Sequence, residues 1–276
     1  MSTLPCYPST YPCLNTGHIQ RTWLMRRMIS FRGPAPLHHT LMAGRTKTAV
    51  TLQTLHHEHF DHGVILQQTP EPGLDIPNPD SCTVPQLLEF VAPKGADILV
   101  DGINKGVFVP PVEYGGWDNA KKPQELIHAA KITTEDSHIN WSAWTWQKVN
   151  RHSRVLGPLW NKAVVIDIRR NREPIPEQKR MIITEMEEVQ PLQGCDEFSQ
   201  TPGWPFVATP LSRSGQQNKA LYVWTCDKKL ICLRQIKVEG DQNADGARAA
   251  HKARMLGDRV TCTDEFEFRG FHDTIV

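Results

Sequence analysis

Past Leu159 the chain loses almost all helical periodicity. Short runs rich in β-branched and aromatic residues follow at 163–168, 180–185, 206–208, 220–226 and 230–238, each bounded by turn-forming residues. Short strands at such intervals bury their apolar faces by curling on themselves, so this half is expected to be a small β-barrel. Before Leu159 helix-like and strand-like periods alternate, which is the pattern of an α/β architecture. A chain of 276 residues can hold two modest cores. Five regions are therefore expected: a basic leader over 1–30, an α/β part over 31–110, a linker and helix over 111–159, a barrel over 160–258 and a loose polar tail over 259–276. Residues 246–256 have helical density and are expected to close the barrel domain.

Within the α/β part, 37–43 predicts a helix stopped by Gly44. Residues 49–55 and 64–69 alternate and read as two strands, joined by a turn over 56–63. Thr83 is a suitable helix cap, with Gln86 three residues on. Apolar spacing then predicts two helical pieces, one through Leu87, Leu88 and Val91 and one through Ile98, Leu99 and Ile103, interrupted at Pro93 and Gly95. Ser142 is expected to cap a helix that ends at Gly157-Pro158.

Net charge is +1, so global charge gives no argument for a nucleic-acid partner. The distribution is uneven, because no carboxylate precedes Glu58 while several arginines do. An acid-free, Arg-bearing start is compatible with an organelle transit peptide. The seven cysteines include no C-x-x-C pair, which favours a reducing compartment over a disulfide framework. No apolar run approaches the ~18–20 residues that span a bilayer, so no membrane partner is expected.

Six of the twelve histidines fall between Phe31 and Gln68. His57, His59, Asp61 and His62 match H-x-H-x-D-H, a spacing that resembles the metallo-β-lactamase family of zinc hydrolases. Alternate positions at a strand end point one way, so two imidazoles can share a metal whose bound water becomes hydroxide near neutral pH. The fifty-odd residues before the hexamer are short for that fold. Solvated turn residues without a metal remain the alternative, and no metal is expected.

The same stretch resembles the methionyl-tRNA formyltransferase family over a wider span. Phe31-Arg-Gly-Pro-Ala-Pro-Leu37 is similar to its aromatic-Arg-Gly-x-x-Pro-Ile run, and Phe60-Asp-His-Gly63 stands where Leu-Asp-Thr-Gly is usual. Ala130-Lys-Ile-Thr133, Ile139-Asn-Trp-Ser142 and Leu156-Gly-Pro158 resemble its linker motifs. The resemblance implies a partial Rossmann-like formyltransferase domain followed by an OB-like C-terminal barrel. It also implies formyl transfer from 10-formyltetrahydrofolate to the methionine amine of initiator Met-tRNA, in a mitochondrial protein expected to act as a monomer. Asp61 aligns with the catalytic carboxylate, and Arg32 and Gly33 with substrate-binding positions. The family's catalytic Asn and His fall on Thr22 and Leu24, which cannot supply that chemistry, and the upstream βα units are missing or replaced.

A half sheet would expose edges and apolar faces. Impaired turnover is therefore expected, with a tRNA-binding remnant as the alternative. In the family the barrel helps to hold tRNA. Arg151, Arg154, Arg169, Arg170 and Arg172 are the candidate phosphate contacts, with Lys228, Lys229, Arg248, Lys252 and Arg254 later in the chain. Trp141, Trp144 and Trp146 could stack on bases, or Trp141 could pack the interdomain seam as a large buried anchor.

Overall fold

The computed structural model describes residues 31–55, 58, 63–116, 127–167, 175–198, 200–211 and 219–272, together with the backbone of Leu24–Met25. The chain divides into two compact units. One comprises Met1–Thr40, Arg45–Pro77 and Pro85–Lys131, and the other Leu41–Gly44, Asn78–Val84 and Ile132–Val276. Among the described residues no helix is long and apolar enough to cross a membrane.

The first unit is built on small sheets. Strands β1 (Leu24–Met25), β4 (Thr51–Gln53) and β5 (Ile65–Gln68) form an antiparallel sheet in the order β1-β4-β5. Strand β2 (Phe31–Arg32) pairs in parallel with β7 (Ile127–His128), and β3 (Lys47–Thr48) pairs antiparallel with β6 (Leu74–Asp75). Helix α1 spans Pro36–Met42, with proline at a position where a missing N–H costs nothing. Both predicted strands flank the expected turn, β4 four residues and β5 two residues shorter than its periodic run.

Helix α2 runs unbroken from Val84 to Lys105 with Pro93 inside it, where two pieces were expected. Glu89, four residues before the proline, and Pro93 itself are both exposed, so the carbonyl that loses its helical partner can turn to water. The buried side of α2 carries Leu87, Val91, Gly95 and Gly102. A Cβ on Gly102 would stand 2.7 Å from Leu52 Cδ2, so glycine lets the helix approach β4 closely. Ile103, expected in the core, is 55% exposed with Leu88 and Val100 beside it. On the strands, where uncovered apolar faces were expected, Ala49, Val50, Leu52, Ile65 and Leu66 are buried and only Leu55 and Val64 at the turn are exposed.

The second unit is a single antiparallel sheet with two helices on its inner face. Strands β8 (Leu159–Asp167), β9 (Ile175–Val189), β10 (Phe206–Pro210), β11 (Ala220–Trp224), β12 (Leu230–Val238), β14 (Leu256–Cys262) and β15 (Phe266–Phe271) run in the order β14-β15-β10-β11-β12-β9-β8, and β13 (Ala244–Asp245) pairs with β12. One core cluster takes Leu159 and Val165 from β8 and Phe271 from β15, strands near opposite ends of that path, so the sheet curls around it. A backbone bond from Ile166 N–H to the Arg254 carbonyl (3.2 Å) draws β8 towards the residue that leads into β14. The expected barrel is thus a curled antiparallel sheet with an open strand path.

Helix α3 (Trp146–Leu156) and α5 (Gly246–Lys252) cover the inner face, through Val149 and through Ala247, Ala249 and Ala250. The cap of α3 is Thr145, whose hydroxyl accepts from Lys148 N–H, and not Ser142, which donates to Asn140 Oδ1 (2.7 Å). Residues 132–158 belong with this unit, earlier than a boundary at Leu159. Ile139 N–H donates to the Trp160 carbonyl, and Ile139, Trp141 and Val149 join the sheet's core.

The tail is a correction. Residues 256–262 and 266–271 are paired strands, and Phe266 and Phe268 alternate into an aromatic cluster on the outer face with Phe198, Phe206 and Trp224. Phe198 closes the short helix α4 (Cys195–Phe198).

Candidate functional site

The turn that carries the predicted catalytic carboxylate is clamped at its base. Thr54 N–H donates to the Val64 carbonyl (2.9 Å), and Val64 N–H donates to Thr54 Oγ1 (2.9 Å). A Cβ on Gly63 would stand 1.6 Å from the Thr54 carbonyl oxygen, so only glycine permits the closure. The segment holding Asp61 therefore leaves the sheet at the paired ends of β4 and β5. Asp61 itself, with His57, His59 and His62, lies outside the described residues. Thr22 lies outside them too, and for Leu24 the backbone alone is described.

Arg32 and Gly33 are fixed by backbone pairing. The Arg32 carbonyl accepts from Ala129 N–H (2.5 Å), and Ala35 N–H donates back to the Ala129 carbonyl (3.3 Å). Gly33 has φ +124°, and a Cβ there would meet the Ala129 oxygen at 2.6 Å, which explains glycine after the arginine. His39 on α1 bonds the Ala130 carbonyl through Nε2 (3.0 Å), and its ring lies 6.0 Å from that of Phe31. The motif at 31–33 and the one at 130–133 are thus brought together, though nearly a hundred residues separate them. On the far side of β5, Gly115 N–H donates to the Ile65 carbonyl (2.8 Å).

Buried hydroxyls and amides concentrate on the strands that flank the turn. Thr48, Thr51, Gln68 and Thr69 are all buried, and Thr69 Oγ1 accepts from Val50 N–H (3.2 Å). Gln67 Nε2 donates to Asp101 on α2, whose carboxylate also pairs with Lys105 (2.7 Å). The Lys105 ammonium, and after it the Gln67 amide, hold the Asp101 carboxyl below its ordinary pKa.

The predicted cationic residues divide into two groups. Arg154 on α3 is committed to backbone, donating to the carbonyls of Cys82 (3.0 Å), Pro79 (3.4 Å) and Asp80. Arg151, one turn earlier, donates to the Met42 carbonyl (3.4 Å) and lies against Gly44, where a Cβ would meet its guanidinium at 2.6 Å. Arg169, Arg170 and Arg172 lie outside the described residues, on the connection between β8 and β9. Of the later cations, Lys229 pairs with Glu188 (2.8 Å) and Lys252 with Asp241, while Lys228 and Arg248 form no ion pair among the described residues.

Trp141 is buried in the core of the second unit's sheet, where an interdomain seam was expected. Trp144 packs on His152 at 4.4 Å with Lys148 over its ring. Sequence reasoning missed Arg180, which stacks on Trp160 at 3.9 Å beside Lys162 and Lys179. The signal was the adjacent pair Lys179-Arg180 after the 168–174 connection, but its meaning depends on the register Lys162↔Arg180, which a single sequence does not reveal.

No protein-family model matches the chain. The mitochondrial methionyl-tRNA formyltransferase of Saccharomyces cerevisiae is 29% identical across 46% of this chain and 35% of its own length. Its Homo sapiens counterpart is 30% identical across 46% of this chain and 30% of its own. This chain is a distant homologue of the methionyl-tRNA formyltransferases. It spans about a third of the length of the curated relatives it matches. Among solved structures, a variant of HypX from Aquifex aeolicus overlaps 82% of this chain and 36% of its own at 14% identity, with a TM-score of 0.43 that carries no assignment.

Proposed function

We propose that this chain acts in formyl transfer from 10-formyltetrahydrofolate to the methionine amine of initiator Met-tRNA, with impaired turnover. The observation that carries this is the homology to methionyl-tRNA formyltransferases over nearly half of the chain. The clamped β4–β5 turn supports it, because a catalytic carboxylate needs a rigid strand end to hold it.

In the reaction the amine nitrogen bonds to the formyl carbon, the bond from that carbon to folate N10 breaks, and a proton passes from the amine towards N10. Asp61 is assigned to orient and charge the imidazole that takes that proton in an intact site, and the 31–33 segment to line the substrate side. General acid–base help is worth roughly 10²–10⁴-fold. A lost oxyanion donor costs about 10²–10³-fold more. With Thr22 and Leu24 at the positions that the resemblance gives to the Asn and His partners, both contributions are absent from this sequence. Turnover at least about 10⁴-fold below that of an intact relative is expected.

Purified chain, charged initiator tRNA and the formyl donor test this by product analysis. Turnover close to an intact relative's would overturn the impairment. The same two residues favour a second possibility, a tRNA-binding protein without catalysis, which a salt-dependent tRNA shift with no formylated product would select. Arg169, Arg170 and Arg172 are the proposed phosphate contacts, with Arg151 and Arg154 assigned to them only in so far as their carbonyl bonds leave donors free. A mitochondrial address is proposed from the yeast and human relatives, and imaging of a fluorescent fusion checks it.

A further inference from the structure

The outer face of the curled sheet is lined by large rings except at one place. Ala208 on β10 stands in register opposite Ala220 on β11, and Cys232 on β12 stands opposite Tyr222. Further along the same strands, that face carries Phe206, Tyr222 and Trp224. Small side chains side by side on neighbouring strands leave a hollow, and a cavity of about 410 Å³ opens there, walled by Val189, Leu192 and Phe266 besides the alanines. Small-molecule sites run from roughly 300 to 1,000 Å³, and here Lys219, Tyr222, Arg234 and Asp245 make the lining mixed instead of mostly apolar.

The polar groups at this cavity are unequal in what they can still bind. Arg234 is held by Glu187 through Nε (2.8 Å) and Nη2, which leaves Nη1 without a partner among the described residues. Asp245 Oδ1 accepts the Arg248 N–H (3.1 Å) and caps α5, so its charge is answered by the helix start. Lys219 forms no ion pair among the described residues, and it lines the cavity on an exposed stretch. Burial pushes the Tyr222 hydroxyl up to about 12, so it remains a neutral donor at physiological pH. Lys219 and Arg234 Nη1 are therefore the cationic donors left at the cavity, and Asp245 keeps its second carboxylate oxygen on the side where it caps α5.

We propose that this cavity binds a small molecule joining a flat apolar body to a single anionic group, the body against Phe266 and the alanines and the anion towards Lys219 and Arg234. The assignment is independent of formyl transfer, since none of these residues belongs to the unit that carries the turn.

Fluorescence titration of the full chain with anilinonaphthalene sulfonate, and with its uncharged counterpart phenylnaphthylamine, tests it. The sulfonate is expected to bind saturably at one site. Lys219→Glu should weaken it about fivefold or more while leaving the uncharged probe unchanged. Ala220→Leu fills the hollow and should weaken both. Absence of saturable sulfonate binding overturns the proposal, as does equal sulfonate affinity in the parent and Lys219→Glu. Lys219 is exposed, so that comparison stands even where Ala220→Leu fails to fold, as judged by circular dichroism.

Discussion

Gly270 shows how finely the outer aromatic cluster is fitted. A Cβ there would lie 2.3 Å from the Trp204 ring, and that ring stacks on Phe198 at 5.5 Å with Arg259 above it at 5.1 Å. Gly270→Ala should push the indole off its stack and cost about 1–3 kcal/mol of overpacking. Urea unfolding measures the loss, and a change within about 0.5 kcal/mol would show that the indole has room to move. His152 makes a different case. Burial lowers its pKa below 6.5, and the Lys148 and Arg151 charges act the same way, while the Lys148 carbonyl, 2.9 Å from Nδ1, and the Asp136 carboxylate oppose it. Between the folded pKa and 6.5 the unfolded chain binds a proton that the folded chain refuses, so stability rises with pH there. The contribution is complete above the unfolded value and is lost as pH falls through the folded one. His38, lowered by burial, acts with the same sign. The urea midpoint should therefore drop between about pH 7.5 and about pH 5.5. His152→Asn, which cannot titrate, should flatten that drop, and an unchanged pH profile would exonerate His152.

At the scale of elements, the parts read correctly from sequence are those with local causes. Gly44 ends α1, Gly157 ends α3 with φ +85°, and the two strands around the turn follow their alternation. The parts misread have causes distant in sequence. Thr145 rather than Ser142 caps α3 because the Trp146 N–H is also claimed by Asp227 Oδ1 (3.1 Å), eighty-one residues away. The tail is strand because β10 offers it an edge, pairing Phe206 with Gly270 and Ala208 with Phe268. The candidate site divides in the same way. Gly63 and Gly33 were legible as motif glycines, whereas the structural bonds of Arg154 were not, since nothing in 79–82 announces three carbonyls gathered on one guanidinium. Arg154→Ala leaves those carbonyls without their donors, and a lost buried partner costs about 1–3 kcal/mol. Amide exchange should quicken in residues 78–84 more than in β10–β12. Uniform acceleration would mean that the arginine supports the whole unit instead of this segment.

For the whole molecule, a net charge of +1 means that any affinity for tRNA comes from where cations gather and not from their number. Each phosphate neutralised contributes a slope of roughly 0.7–0.9 to the fall of log affinity with log salt. Arg151 and Arg154 already donate to carbonyls, and Lys229 and Lys252 already hold carboxylates, so these four have fewer free donors to turn towards phosphates. Arg169, Arg170 and Arg172 stand together on the connection between β8 and β9, next to strands that also present Lys162, Lys179 and Arg180. Replacing the three connection arginines with alanine should therefore weaken initiator-tRNA binding and reduce the salt slope by about 2–3. Arg151→Ala and Arg154→Ala should change unfolding but leave the slope within about 0.5 of the parent. Filter binding across a salt series separates these outcomes. A slope that falls with the α3 arginines and not with the connection would move the phosphate contacts onto α3 and make their carbonyl bonds secondary to RNA.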